Sequence, residues 1–110
     1  MRLLQRSGFG ILEHQPWTEW PMEIDGDVVW VSCRGDLLVE ATETALAPPG
    51  SRFIAEVKTG LRAPDPTHPS TRRQLLEYLA AFDVDGVLLI DMERGQIHAV
   101  AFPLGSAQPA

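Results

Sequence analysis

The sequence predicts an α/β (α+β) fold: a mixed central β-sheet of about five strands, with one main helix between the third and fourth strands. Three observations lead there. Apolar runs rich in β-branched and aromatic residues recur between turn signals. One later segment has helical periodicity. Along the chain the order is three strands, one helix and two strands, which suits a sheet with both parallel and antiparallel pairs.

The elements follow in order. "GILEHQPWTEWPMEI" looks extended, is interrupted by Pro16 and Pro21, and suits an edge strand. "DGD" at 25–27 is a turn signal, and "VVWVSCRGDLLVEA" after it reads as one long second strand, so the two form a hairpin. "TALAPPGS" is a loop, and "RFIAEVKTG" is the third strand. "LRAPDPTHPS", with three prolines in ten residues, excludes regular structure. A helix begins at Ser70 or Thr71, where "TRRQLLEYLAAF" sets Leu75, Leu76, Leu79, Ala80 and Phe82 in an apolar stripe. "DVDG" ends it. "GVLLID" and "QIHAVAF" are two short strands joined by "MERG".

With 110 residues the chain holds one domain and one core, residues 1–104, and "GSAQPA" at 105–110 is expected to be a disordered tail. Apolar content of 45% with 22% charged is that of a soluble globular fold. No apolar run reaches the roughly 18 residues that span a bilayer. The start "MRLLQRSGFG" lacks the apolar stretch and cleavage site of a signal peptide. Cys33 is the single cysteine, so no internal disulfide can form, and the expected compartment is the cytoplasm. Its apolar surroundings point to a buried structural thiol rather than a nucleophile.

The net charge of −6 argues against a protein that coats nucleic acid by bulk attraction. The distribution differs from the total. Between residues 52 and 73, Arg52, Lys58, Arg62, Arg72 and Arg73 face only two acids, Glu56 and Asp65. A basic segment on an acidic body points to an anionic ligand beside the third strand.

That strand carries the chemistry. Side chains alternate across a strand, so Phe53, Ala55 and Val57 take one face while Ile54, Glu56 and Lys58 take the other. On the second strand Asp36 follows Gly35 and is expected to share a face with Trp30, Ser32, Arg34 and Leu38. If the two strands pair in register, two carboxylates converge with an ammonium beside them. Crowded carboxylates repel, and a hard divalent cation with oxygen ligands, Mg²⁺ or Mn²⁺, relieves the repulsion. A lysine there can orient or help deprotonate a water and stabilise charge on a phosphoryl oxygen.

Gly35-Asp36, then Glu56-Val57-Lys58, then Gln74 and Tyr78 on the following helix resemble the PD-(D/E)XK nuclease superfamily in its RecB-like branch. The resemblance spans roughly residues 9–102 and extends to the order of strands and helix. It implies a restriction-endonuclease-like fold and an Mg²⁺-dependent phosphodiesterase acting on DNA, with RNA left open. By the same resemblance Asp36 and Glu56 bind the metal with the Val57 backbone carbonyl, and Lys58 is the catalytic lysine. Gln74 and Tyr78 contact the nucleic acid or position the site; beside the resemblance, the basic segment with Arg62, Arg72 and Arg73 is expected to meet the DNA backbone. Many members have a helix before the first strand that supplies a further Glu or His. Here about eight residues precede Phe9, so that helix is short or absent, and Glu13, His14 or Glu19 are the candidates for an additional ligand.

Each piece has a plainer reading. Glu56 and Lys58 can be a solvated ion pair. Thr71-x-x-Gln74 can be a capping box, and Tyr78 can pack on the helix flank. Trp17, Trp20 and Trp30 can stack bases, or belong to a core or an interface. His14, His68 and His98 lack metal-ligand spacing, and Asp83-Val84-Asp85-Gly86 lacks the later ligands of a calcium loop. Two rival functions stay open. One is a catalytically weak or inactive nuclease-fold module that binds nucleic acid or a protein partner; the other is a small interaction protein. One helix cannot cover both faces of five strands. Leu3, Leu4, Ile11, Leu12, Trp17, Trp20 and Trp30 therefore call for cover by a homodimer or a partner on the N-terminal strands.

Overall fold

The computed structural model describes residues 1–60 and 65–103. The chain forms α1 (Arg2–Arg6), β1 (Phe9–His14), β2 (Trp17–Ile24), β3 (Asp27–Arg34), β4 (Leu37–Ala41), β5 (Arg52–Lys58), α2 (Pro69–Ala81), β6 (Gly86–Asp91) and β7 (Gln96–Val100). Five strands make a mixed sheet in the order β1-β4-β5-β6-β7, and β2 and β3 form a separate two-stranded sheet. Among the described strands only β5 and β6 pair in parallel, and α2 is carried on the connection between them. A parallel pair needs such a crossover, whereas the antiparallel pairs need only turns.

The five-stranded mixed sheet and single main helix are as the sequence predicts, with two corrections. Each of the two long N-terminal strands is broken in two, which adds the separate β2–β3 pair and leaves α2 where it is expected, between the third and fourth strands of the five-stranded sheet in chain order, β5 and β6. The break is a shared corner. Gln15 N–H donates to the Asp36 carbonyl at 2.8 Å, and Gly35 N–H donates to the Pro16 carbonyl at 2.9 Å, so the ladder continues while its direction changes. Gln15 takes a positive φ of 49°, and a Cβ on Gly35 would stand 2.8 Å from the Ile54 Cγ2 methyl. Glycine is the residue that allows this approach.

Beyond the corner, β2 and β3 run out as a hairpin arm, turning at Asp25 and Gly26, both with positive φ (51° and 85°). That is the two-residue turn matched to a right-handed strand twist. The arm folds toward α2. Trp20 donates its indole N–H to Glu77 at 3.3 Å, and Cys33 joins the cluster under α2.

The second correction concerns cover for the sheet, and of the two alternatives for the N-terminus, short helix or none, the short helix forms. This helix, α1, buries Leu4 completely against Phe9, Val39, Phe53 and Ile90, with Leu3 and Met1 partly covered beside it. Phe9 and Phe53 meet edge to face at 6.0 Å between ring centroids. The opposite face of the sheet packs Ile54 and Val87 under Leu75 and Tyr78 of α2. Both faces are thus covered, and β6, buried throughout, reads as a continuous apolar run. The exposed apolar side chains left over lie mainly on the arm, where Trp17 and Trp30 are 53% and 62% exposed. No described helix is long and apolar enough to cross a membrane. Arg62 and the tail at 105–110 lie outside the described residues.

Candidate active site

Glu56 is the centre of the arrangement. It sits on the α2 side of β5, only 4% exposed, because alternation sends Phe53, Ala55 and Val57 to the α1 core and Ile54, Glu56 and Lys58 toward α2. The solvated ion pair is not what forms. A carboxylate so buried needs hydrogen-bond donors, and α2 supplies them.

Gln74 and Tyr78 are four residues apart on α2 and therefore share a face. The Tyr78 hydroxyl lies 3.1 Å and 3.2 Å from the two Glu56 carboxylate oxygens, and Gln74 Nε2 reaches Glu56 Oε1 at 3.4 Å. Gln74 Nε2 also donates to the Tyr78 oxygen at 3.0 Å, and Lys58 Nζ donates to Gln74 Oε1 at 3.2 Å. An ammonium only donates, so Lys58 fixes which way the Gln74 amide faces. The capping-box reading of Gln74 is overturned. The helix starts at Pro69 after His68, ahead of Thr71, and the Gln74 side chain is spent on the site.

Asp36 completes the group from the other strand. The β4–β5 register pairs Leu37 with Ala55 and Leu38 with Ile54, and one further step sets Asp36 opposite Glu56. The corner at Gly35 changes which neighbours share that face. Leu38 stays with Asp36, but Cys33 joins the cluster in place of the Trp30, Ser32 and Arg34 expected from an unbroken strand, all three being exposed. Asp36 Oδ2 accepts the Val57 N–H at 2.8 Å. A strand residue turns its N–H and C=O to the same side, so the Val57 carbonyl faces the Asp36 side of β5 as well.

These neighbours set the charge state of Glu56. Burial pushes its pKa up to about 7, the nearby Asp36 carboxylate adds to the rise, and Lys58 and the Tyr78 hydroxyl oppose it. The Tyr78 hydroxyl is itself held well above its ordinary value by burial and then by Glu56. A carboxyl that titrates near neutrality beside a second acid takes up either a proton or a cation. The donors that could hold a metal are the Asp36 and Glu56 carboxylates and the Val57 carbonyl. Among the described residues no group of three His, Cys, Asp or Glu side chains is placed to hold an ion. Two carboxylates with a carbonyl are hard oxygen donors of the kind Mg²⁺ accepts, an ion that fills its remaining positions with water. A hollow of about 520 Å³ opens on the α1 side of β5, lined by Asp36, Val57, His14 and Thr59 among others but not by Glu56. His14 thus lines the same hollow as Asp36, whereas Glu19 is exposed on the arm.

Five of the sequence-predicted residues, Asp36, Glu56, Lys58, Gln74 and Tyr78, form one connected group, with the Val57 backbone between. Arg73 is exposed beside Gln74 on a groove along α2, while Arg72 lines a separate hollow with His98 and Phe102. Cys33 is the buried thiol expected, its pKa pushed up to about 11 by burial and then by Glu77 and Glu56. The Trp20–Glu77 contact was not legible, since it depends on the arm folding back at Gly35.

No family model matches the chain, and no curated protein matches it. Among solved structures, the crystal structure of SSO0001 is similar, with a TM-score of 0.63 at 19% sequence identity. The match covers 94% of this chain and 47% of that one, so the chain spans about half the length of the structure it resembles. At that identity the likeness shows the fold: a mixed sheet with its helices, shared over nearly the whole of this chain.

Proposed function

We propose that the chain is a metal-dependent nuclease that hydrolyses phosphodiester bonds in DNA, with Asp36, Glu56 and Lys58 as its catalytic residues. The observation that carries this reading is the cluster around Glu56: a buried carboxylate opposite a second one, with a lysine tied to it through Gln74. Stability alone does not account for such a group, because an acid beside an acid in a buried place costs free energy.

In this reading Asp36, Glu56 and the Val57 carbonyl hold Mg²⁺ or Mn²⁺. When bound, the ion polarises a phosphoryl oxygen and acidifies water. Lys58 places its ammonium beside the carboxylates, where it orients the attacking water and offsets charge on the phosphoryl group. Gln74 holds Lys58 and Glu56 at fixed separation, and Tyr78 fixes the Glu56 carboxylate plane. Arg73 adds a cation for the DNA backbone on the Gln74 side, and Arg62 and Arg72 extend that basic segment along the sequence.

The proposal includes a homodimer. Strand pairing sets Trp17, Pro21, Val28 and Trp30 on the outer face of the arm, and Trp17, Val28 and Trp30 are well exposed. A second copy there leaves the Lys58 side open. The test is a panel of linear, circular, single-stranded and branched DNA with Mg²⁺, Mn²⁺ and chelator, and an RNA control. Cleavage that needs metal and disappears in Asp36→Ala supports the reading; metal-dependent binding without cleavage by any substrate identifies the catalytically inactive module.

A further inference from the structure

Of the three tryptophans, Trp20 is the one that the fold brings to the site. It lies on the inner face of the arm, half-buried against the cluster under α2, and its indole N–H is taken by Glu77 at 3.3 Å. Between this indole and α2 runs a groove of about 420 Å³, lined by Trp20, Arg73, Gln74, Leu76, Glu77 and Ala80. The helix residues among these recur at three- and four-residue spacing, so they form a second face of α2, next to the one that packs on the sheet. Gln74 belongs to both settings: it lines the groove and donates to Glu56 at 3.4 Å. The groove therefore meets the carboxylate site at Gln74.

We propose that this groove is a subsite for one unpaired nucleobase of the strand being cut, stacked on the Trp20 indole, with its phosphate near Arg73. The proposal rests on the nuclease reading of the Glu56 cluster and names the form of substrate that cluster takes. Three observations select this occupant. The walls are an aromatic ring and the aliphatic side chains of Leu76 and Ala80, which suit the flat face of a base. The rim carries an exposed arginine, the end of a locally basic segment and a cation suited to a phosphate, while the groove's one acid, Glu77, accepts the Trp20 indole N–H. The volume falls in the range of small-ligand sites and admits a single nucleotide. A base still paired and stacked in a duplex cannot offer its face to Trp20, so the groove distinguishes a single strand or a frayed end from intact duplex. Glu77, by holding the indole N–H, fixes the ring's orientation and acts as a positioning residue.

The experiment measures binding of labelled oligothymidylate and of a blunt duplex in chelator, by fluorescence anisotropy, with Mg²⁺-dependent cleavage of both followed in parallel. The proteins are the wild type, Trp20→Leu, Trp20→Phe and Ala80→Glu. Ala80 is exposed, so its substitution charges the groove without touching the packing of the arm. Trp20→Leu should weaken single-strand binding about 5- to 150-fold while duplex binding changes less than about twofold. Ala80→Glu should act in the same direction, and Trp20→Phe should retain most of the affinity. Unchanged single-strand binding in both Trp20→Leu and Ala80→Glu overturns the proposal, as does an equal loss for duplex. A change in sedimentation with DNA binding unaltered also overturns it, and assigns the groove to a second copy of the chain. A wild type that binds oligothymidylate through Trp20 yet cuts nothing leaves the subsite standing and overturns the nuclease reading. One that cuts but ignores both groove substitutions does the reverse.

Discussion

The Tyr78 hydroxyl lies within hydrogen-bond reach of both Glu56 carboxylate oxygens, at 3.1 Å and 3.2 Å, with Tyr78 itself 3% exposed. A phenol buried against a carboxylate stabilises the charged form of the acid and resists its own ionisation. Tyr78→Phe keeps the ring and removes that donor. At pH 8, where Glu56 is ionised, the loss should be about 2 kcal/mol, in the range for hydrogen bonds to charged groups. At pH 5, where Glu56 is protonated, it should shrink to about 1 kcal/mol. Urea denaturation at the two pH values checks this, and equal losses at both would remove the charged hydrogen bond from the account.

Gln74→Ala separates structure from chemistry. The side chain caps no helix end, because α2 starts at Pro69, and it instead joins Lys58, Glu56 and Tyr78. The expected result is a modest stability loss of about 1 kcal/mol with a fall in cleavage well beyond the loss of folded protein. Activity per folded molecule equal to wild type would return Gln74 to a structural role.

The pH dependence of stability has a defined sign. Glu56 keeps its proton up to about pH 7 in the folded state, against a reference value of 4.5, so between these values the folded chain binds more protons than the unfolded one. Its contribution is full below about pH 4.5 and is lost as the pH rises through 7, a change on the order of 2–3 kcal/mol in metal-free protein. Glu56→Gln should flatten that part of the curve. Mg²⁺ competes with the same proton, so its apparent affinity should rise with pH up to about 7 and then level off. Parallel stability curves for wild type and Glu56→Gln would contradict the assignment.

The arm predicts association. Trp30 is 62% exposed and Trp17 53%, and burying side chains of this kind against a partner is worth roughly 1.5–3 kcal/mol each. Sedimentation at micromolar concentration should give about twice the 12.1 kDa chain mass, and Trp30→Glu should return the monomer with its fold unchanged. A wild-type monomer at high concentration would show that the arm stands free.

The cluster was legible in the sequence because its parts obey local rules. Strand alternation puts Glu56 and Lys58 on one face, and four-residue spacing puts Gln74 and Tyr78 on another. What brings the faces together, the pairing of β4 with β5 and of β5 with β6, was legible only through the order of the elements. The corner was not. "VVWVSCRGDLLVEA" is apolar on both sides of Gly35, and its local pattern gives no sign that the partner strand turns at Gln15 and Pro16. That corner decides which residues accompany Asp36, and it folds Trp20 onto α2 while leaving Trp17 and Trp30 outside. α1 stayed undecided between short and absent for a related reason: a five-residue helix has too few turns for periodicity, and it forms because Leu4 packs on the sheet.

The central claim is that Asp36, Glu56 and Lys58 form a metal-dependent phosphodiesterase site. Its most direct measurement is cleavage of linear and single-stranded DNA by wild type, Asp36→Ala, Glu56→Ala and Lys58→Ala, each with Mg²⁺ and with chelator. Cleavage by wild type should require the metal, and most of it should be lost in all three variants, which stay folded. The two carboxylate variants should also lose the thermal stabilisation that Mg²⁺ gives the wild type. Cleavage that survives in Glu56→Ala, or wild-type protein that neither cuts DNA nor is stabilised by Mg²⁺, would contradict the claim.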